Sequence, residues 1–400
     1  MRKGRNFNNL RSFVIILCLW FSAFASLYSD SANSIALYVA LPFAFCLSFF
    51  KQKSNLDSKY FAILTALIIW IVISFAWAIY EGAALAQLKQ LLGTFILAHI
   101  YTSLSREKRY IPYLYVTYII LFIGACIYAK NNILVDMVHE TDRLDDEKLN
   151  ANTLAYFLFY VTFTIFQLRE HVNGVILKRV MELLFILTIP LSFMVAILTA
   201  SRQVFIIQIP LISILLYFRY IKNYGIGRKV LSIAIIVAGI VIAWPYAAKT
   251  YDESYLKTRN ELEINEDSRM ALLKSAISVG NQYFPLGVGP GNYIFYSPDK
   301  HFSHNSYAEL YANEGVIGLI LYLWLMCLFI KRQYKRYRES GDKQYAIFLL
   351  FGLVYAADGF FFVFYSHLWL MGMFMLVAGH SESYYREQTM AISTNSQIKR

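Results

Sequence analysis

Apolar runs of about 17–25 residues, the length a helix needs to cross a bilayer, recur along the chain. Twelve are legible, at roughly 12–28, 34–50, 60–80, 83–101, 110–129, 152–168, 180–199, 203–218, 230–248, 316–330, 344–357 and 361–379. The last two are short and are interrupted where Asp358 and Gly359 fall. The pattern predicts an all-α polytopic membrane protein with about twelve transmembrane helices. Helices one to nine occupy 1–248 and include an outer loop at 130–151; a large outer loop with helical character follows at 249–315. Helices ten to twelve fill 316–380, and a polar tail, 381–400, is expected to lack fixed structure. No internal repeat or low-complexity linker breaks this organisation.

Composition agrees: 58% of residues are hydrophobic and 16% charged, against about 25% charged in a soluble domain. The net charge of +11 would point to nucleic acid in a soluble protein, but its distribution gives it another meaning. Most Lys and Arg cluster in alternate joints, among them Arg2 to Arg11, Lys51 to Lys59, Arg106 to Arg109, Arg219 to Lys229, Lys331 to Lys343 and the tail. By the positive-inside rule these joints and both termini are cytoplasmic. The surplus charge is therefore topogenic, and no nucleic-acid partner is expected. Ala23-Phe24-Ala25 resembles a signal-peptide cleavage site, yet a retained first span fits the alternation without further assumptions. Cys18, Cys46, Cys126 and Cys327 lie in apolar runs with no metal-ligand spacing, so neither a disulfide framework nor a metal site is expected.

The candidate chemistry is on the outer side. Ser306 and Glu309 form an S-x-x-E capping box, and Gly315 suits the helix's C-terminal end. His304 then precedes a helix amino terminus, whose field favours the neutral imidazole that a general base requires; an ordinary loop histidine would give the same pattern. Arg202 sits in the short joint after the seventh span, either snorkelling or meeting an anion. Arg269 opens an amphipathic run in which Met270, Leu273, Ile277 and Val279 share one side, suited to the outer membrane surface. Lys89 lies within a span, about 10 Å below its outer end, and Asp358 is also intramembrane; such groups are functional by default hypothesis or else pair internally. The Gly-rich stretch Pro285 to Tyr293 lacks the phosphate-loop pattern and reads as a tight turn. Lys89, Arg202 and Arg269 are suited to clamp a pyrophosphate, and His304 to deprotonate a hydroxyl. With arginines neutralising the leaving group, no metal and no cofactor are needed.

These residues carry a resemblance. His304-Asn305, followed after nine residues by Gly315-x-x-Gly318, resembles the outer-loop histidine motif of the O-antigen ligase and O-antigen polymerase superfamily. Ser268-Arg269, Pro285-Leu286-Gly287-Val288-Gly289, Leu149-Asn150-Ala151-Asn152 and Ser201-Arg202 are similar to further segments of that family, while Lys89 and Asp358 match more loosely. The resemblance implies a GT-C-like fold in the bacterial inner membrane with its site facing the periplasm. It implies an undecaprenyl-pyrophosphate-linked glycan as donor, inversion at the anomeric carbon, and catalytic roles for His304, Arg202 and Arg269, with Lys89, Asn305 and Asp358 binding substrate. The acceptor is a lipid-linked glycan in a polymerase or lipid A core in a ligase. The large outer loop carries nine acids against six bases, which suits a phosphate-rich core poorly and favours the polymerase. A twelve-span transporter or flippase is the reading from another class. Intramembrane Lys89 and Asp358 fit it, but repeated halves are missing and a histidine-bearing outer loop has no evident use there.

Overall fold

The computed structural model describes residues 2–51, 58–132, 151–199, 207–222, 225–230, 245, 248–249, 252, 268–298 and 300–398. Among the described residues the secondary structure is helical, with no strand. That is the expected outcome in lipid, where each backbone N–H and C=O must find its partner inside the segment. Among the described residues seven helices are long and apolar enough to cross a membrane: Asn9–Ser26, Asp30–Phe50, Lys59–Trp77, Glu81–Leu104, Lys108–Asn131, Val175–Ile197 and Ser306–Ser340. They cover seven of the runs read from the sequence. The run at 152–168 is also helical, within Ala151–His171. Only part of the 203–218 run is described, where Ile209–Leu216 is helical; nearly all of 230–248 lies outside the described residues.

The chain forms two compact units. One comprises Met1–Ser22, Ser34–Leu114 and Ile264–Arg400; the other comprises Ala23–Asn33 and Tyr115–Glu263. In the second unit the helix Ala151–His171 is buried along its length from Thr153 to Gln167. It packs against Val175–Thr199, and Gln208 Nε2 donates to Thr162 Oγ1 at 2.7 Å. At the end of that helix Arg169 pairs with Glu182 at 2.6 Å.

Six helices of the first unit bear on the site. In chain order we label them α1 (Lys59–Ser74), α2 (Glu81–Leu104), α3 (Ser268–Gln282), α4 (Ser306–Ser340), α5 (Lys343–Asp358) and α6 (Leu368–Ile398). α4 is interrupted at Gly315, whose φ of 66° and ψ of −165° belong to a region essentially closed to other residues. A nine-residue helix thus precedes the apolar span. At the other end Gly341, with φ 66°, closes α4 and Asp342 caps α5 by accepting from the Gln344 N–H.

Two expectations need correction. The run at 361–379 is not one helix: residues 359–367 are non-helical and α6 begins only at Leu368. Ser306 makes this break possible. Its N–H donates to Gly359 O at 2.7 Å, its hydroxyl donates to Phe362 O, and that hydroxyl accepts from Phe364 N–H. Irregular backbone at this depth is tolerated when protein satisfies it in this way. The tail is not structureless either, since α6 continues to Ile398. Glu382 on α6 pairs with Arg332 and Arg336 of α4, and Tyr384 Oη donates to Asp342 at 2.7 Å. Polarity after Gly379 therefore marks a helix held by ion pairs rather than a free tail.

Candidate functional site

The end of the first unit that carries His304 is built around the turn that joins α3 to the short helix Tyr293–Tyr296. Three backbone hydrogen bonds strap this turn onto the break in α4: Val288 N–H to Ala312 O at 2.9 Å, Gly289 N–H to Asn313 O at 2.8 Å, and Val316 N–H to Pro285 O at 3.0 Å. Glycine is required where the backbones meet. A Cβ on Gly287, which has φ 74°, would lie 2.5 Å from Asn313 O. On its other side the turn grips the start of α2, where Tyr80 N–H donates to Asn292 Oδ1 at 2.7 Å. α3 joins the assembly through Tyr293, whose hydroxyl donates to Leu272 O at 2.8 Å. Burial pushes that phenol above its ordinary pKa, so it remains a neutral donor.

α3 is amphipathic, and the side expected to meet the membrane surface is divided: Val279 and partly buried Leu273 pack against the protein instead. Leu272, Ala276 and Val279 are buried, whereas Met270 and Ile277 are exposed. The helix carries Arg269 in its first turn.

His304 stands in the turn before α4, half-buried, with a left-handed φ of 54°. Its ring lies 4.2 Å from that of Phe302 between centroids. The cap differs from the expected box. Asn305, not Ser306, is the N-cap, its Oδ1 accepting from the N–H groups of Tyr307 and Ala308, both at 3.0 Å. Glu309 reaches back beyond the cap and accepts from the Ser303 N–H at 2.6 Å. The Asn305 Nδ2 donates to Phe360 O at 3.3 Å, so the amide expected to bind substrate also ties the cap to the loop after α5.

A chain of polar contacts then runs from α2 to the residue before His304. Gln87 Nε2 donates to Tyr365 Oη at 2.8 Å. Asn313 Nδ2 lies within 3.3 Å of the same hydroxyl and 3.4 Å of Glu309 Oε1. Asn313 Oδ1 also accepts from the Tyr293 N–H at 2.8 Å. One residue past this cluster, Glu314 is buried against α1, accepting from the Ser74 hydroxyl, while its carbonyl accepts from Trp70 Nε1. None of Gln87, Asn313, Glu314 and Tyr365 was legible as a site residue. Only the spacing of Glu309 and Asn313, one helical turn apart, hinted at a shared face.

The structure brings Asp358 and Asn305 to one loop, with His304 adjacent to Asn305 in sequence. Asp358 ends α5, next to Gly359, whose carbonyl holds the N–H of Ser306, and Asn305 binds the same loop at Phe360. Asp358 is buried, and its Oδ2 has no hydrogen-bond partner among the described residues. Arg269 and Lys89 arrive on α3 and α2, the two helices that the Gly-rich turn ties to α4. Lys89 is on the exposed face of α2, about 200° around the helix from buried Gln87, and so lies off the polar chain. Arg202 lies outside the described residues.

A helix-capped turn presenting an imidazole, with cations on the elements braced to it, is suited to acid–base chemistry on an anionic substrate. Residues 186–323 match the O-antigen ligase family model, Wzy_C. The matched segment contains the positions of Arg202, Arg269 and His304 together with the whole Gly-rich strap. It supports the O-antigen ligase and polymerase superfamily, and with it a membrane enzyme acting on lipid-linked glycans. No curated protein matches the chain.

Proposed function

We propose that the protein is an outer-face glycosyltransferase of the bacterial inner membrane that moves a glycan from undecaprenyl pyrophosphate to the hydroxyl of an acceptor sugar. The observation that carries this reading is the family match over the segment holding His304 and both arginines. His304 takes the proton from the acceptor hydroxyl as its oxygen attacks the anomeric carbon. The bond to the pyrophosphate breaks on the opposite side, so configuration inverts. Arg202 and Arg269 neutralise the charge that develops on the departing pyrophosphate, by paired hydrogen bonds that lysine does not reproduce. Lys89, exposed within its span, meets the anionic head of a lipid approaching from the bilayer. Buried Asp358 supports the turn from which His304 acts. No metal and no cofactor enter this scheme.

Between the two acceptors the acidity of the outer loop favours a lipid-linked glycan, which makes the protein a polymerase; lipid A core, the ligase acceptor, is the second reading. Purified protein given an undecaprenyl-pyrophosphate-linked repeat unit, with and without lipid A core, tests both. A ladder without core establishes the polymerase. A single product that requires core establishes the ligase, and no glycan transfer under either condition would overturn the proposal.

A further inference from the structure

The tight turn after α3 exposes an apolar tip that nothing in the catalytic scheme uses. Gly287 N–H and Leu286 N–H both return to Tyr283 O, at 2.9 and 3.1 Å, closing the turn so that Phe284 stands out from it, 63% exposed. Leu286 beside it is 41% exposed. A closed turn strapped at three points cannot fold this phenyl ring back into the protein.

The surroundings identify what covers it. Pro285 O accepts from Val316 N–H, so the tip is fastened to the first residues of the apolar span of α4. From there Ile317, Ile320 and Trp324, at helical spacing, form an exposed apolar stripe, and on α1 Ile69, Val72 and Ile73 form another. On a membrane-spanning helix such stripes face hydrocarbon. Phe284 and Leu286 add exposed apolar side chains at the end of the α4 span, beside the break at Gly315. α3 adds Met270 and Ile277, both exposed, with exposed Lys274 between them. Apolar side chains interleaved with a long cation are the composition of a membrane interface, where the ammonium reaches the headgroups as its stem lies along the acyl boundary.

We propose that the turn Tyr283–Leu286 is a wedge inserted in the outer leaflet, with Phe284 and Leu286 among the lipid chains and the neighbouring side of α3 resting on the headgroups. The outer segment is then seated on the bilayer at a fixed height rather than standing clear in water. This rests on the membrane-spanning reading alone and not on the glycosyltransferase.

The full-length protein, with its four cysteines replaced, is labelled with a nitroxide at Phe284→Cys, Leu286→Cys, Ser278→Cys or Gln282→Cys and placed in phosphatidylcholine–phosphatidylglycerol vesicles. Collision rates with oxygen, which partitions into lipid, and with a water-soluble nickel chelate are then read by electron paramagnetic resonance. The oxygen-to-nickel ratio at 284 and 286 is expected to exceed that at 278 and 282 several-fold. Ratios at 284 and 286 as low as that of a label on a water-exposed residue such as His301 would place the tip in water and overturn the proposal. A label immobilised and reached by neither collider would mean that protein, such as a second copy, covers the tip, which also overturns it. Where Phe284→Cys does not yield a monodisperse protein, Leu286→Cys carries the same test.

Discussion

The break at Gly315 is the point on which the outer assembly turns, and Gly315→Ala measures its worth. At φ 66° and ψ −165° a residue with a Cβ incurs about 1–3 kcal/mol of backbone strain. The new methyl would also fall well inside contact distance of Pro285 O and lie 2.6 Å from the Leu286 carbonyl carbon. Backbone cannot yield as a side-chain tip can, so the strap must lift. Lifting forfeits the hydrogen bonds of Val288, Gly289 and Val316, each worth about 1 kcal/mol net. Together these give roughly 4–6 kcal/mol, a large part of the 5–15 kcal/mol that typically separates folded from unfolded protein. Gly341 supplies the control. It has the same φ of 66°, yet a Cβ there meets nothing within 4 Å, so Gly341→Ala incurs only the left-handed penalty of about 1–2 kcal/mol. In detergent, Gly315→Ala should unfold at a clearly lower temperature than Gly341→Ala, and protease should cut the turn at 283–292 faster. Equal behaviour of the two variants would refute the claim that the strap and the break support each other.

Arg202→Ala and Arg269→Ala should nearly abolish glycan transfer with the fold retained, since a hydrogen bond to a charged group is worth about 1.5–3 kcal/mol; full activity in either Arg→Lys variant would show that the position supplies charge alone. His304→Ala should lose about 10²–10⁴ in rate while still binding the lipid diphosphate, measured by donor binding beside single-turnover transfer. His304→Gly, freed from strain at φ 54°, should be the more stable of the two and equally inactive. Glu309→Ala should lower both stability and turnover, because it leaves the Ser303 N–H without its acceptor at a cost of about 1–3 kcal/mol. Glu309→Gln keeps an acceptor and should retain more of each, and thermal unfolding with a transfer assay separates the pair.

Helix existence was legible because bilayer length is a strong constraint, and seven expected spans coincide with helices fit to cross. What failed shares one cause: apolarity alone does not say what a side chain is buried against. On α3 Met270, Leu273, Ile277 and Val279 are apolar at helical spacing, and only packing shows that Leu273 and Val279 face the protein while Met270 and Ile277 stay exposed. The stretch 359–367 is as apolar as a span, yet Ser306 satisfies its backbone from 53 to 58 residues away in sequence, a contact no local pattern contains. Asn305 and Ser306 are both good N-caps, so sequence identified a cap without saying which residue provides it. The role of Gln87 was invisible because its partner, Tyr365, is 278 residues distant.

The histidine motif itself acquires a physical reading from these contacts. Asn305 caps the outer helix, nine residues bring that helix to Gly315, and Gly315 alone admits the strap at Pro285. The spacing between Asn305 and Gly315 is thus set by one short helix held at both ends, and Glu309 and Asn313 inside it face the polar chain from α2. These contacts hold the turn without drawing on the imidazole of His304. That residue instead keeps a left-handed backbone that glycine or asparagine would adopt at lower cost. Such strain persists only where the surrounding structure over-determines it, and here the capped helix and the Phe302 ring, 4.2 Å away between centroids, flank the residue on either side. Under the proposed function this frame would hold the imidazole in place by a capped helix and a backbone strap, so that little reorganisation is needed when substrate arrives.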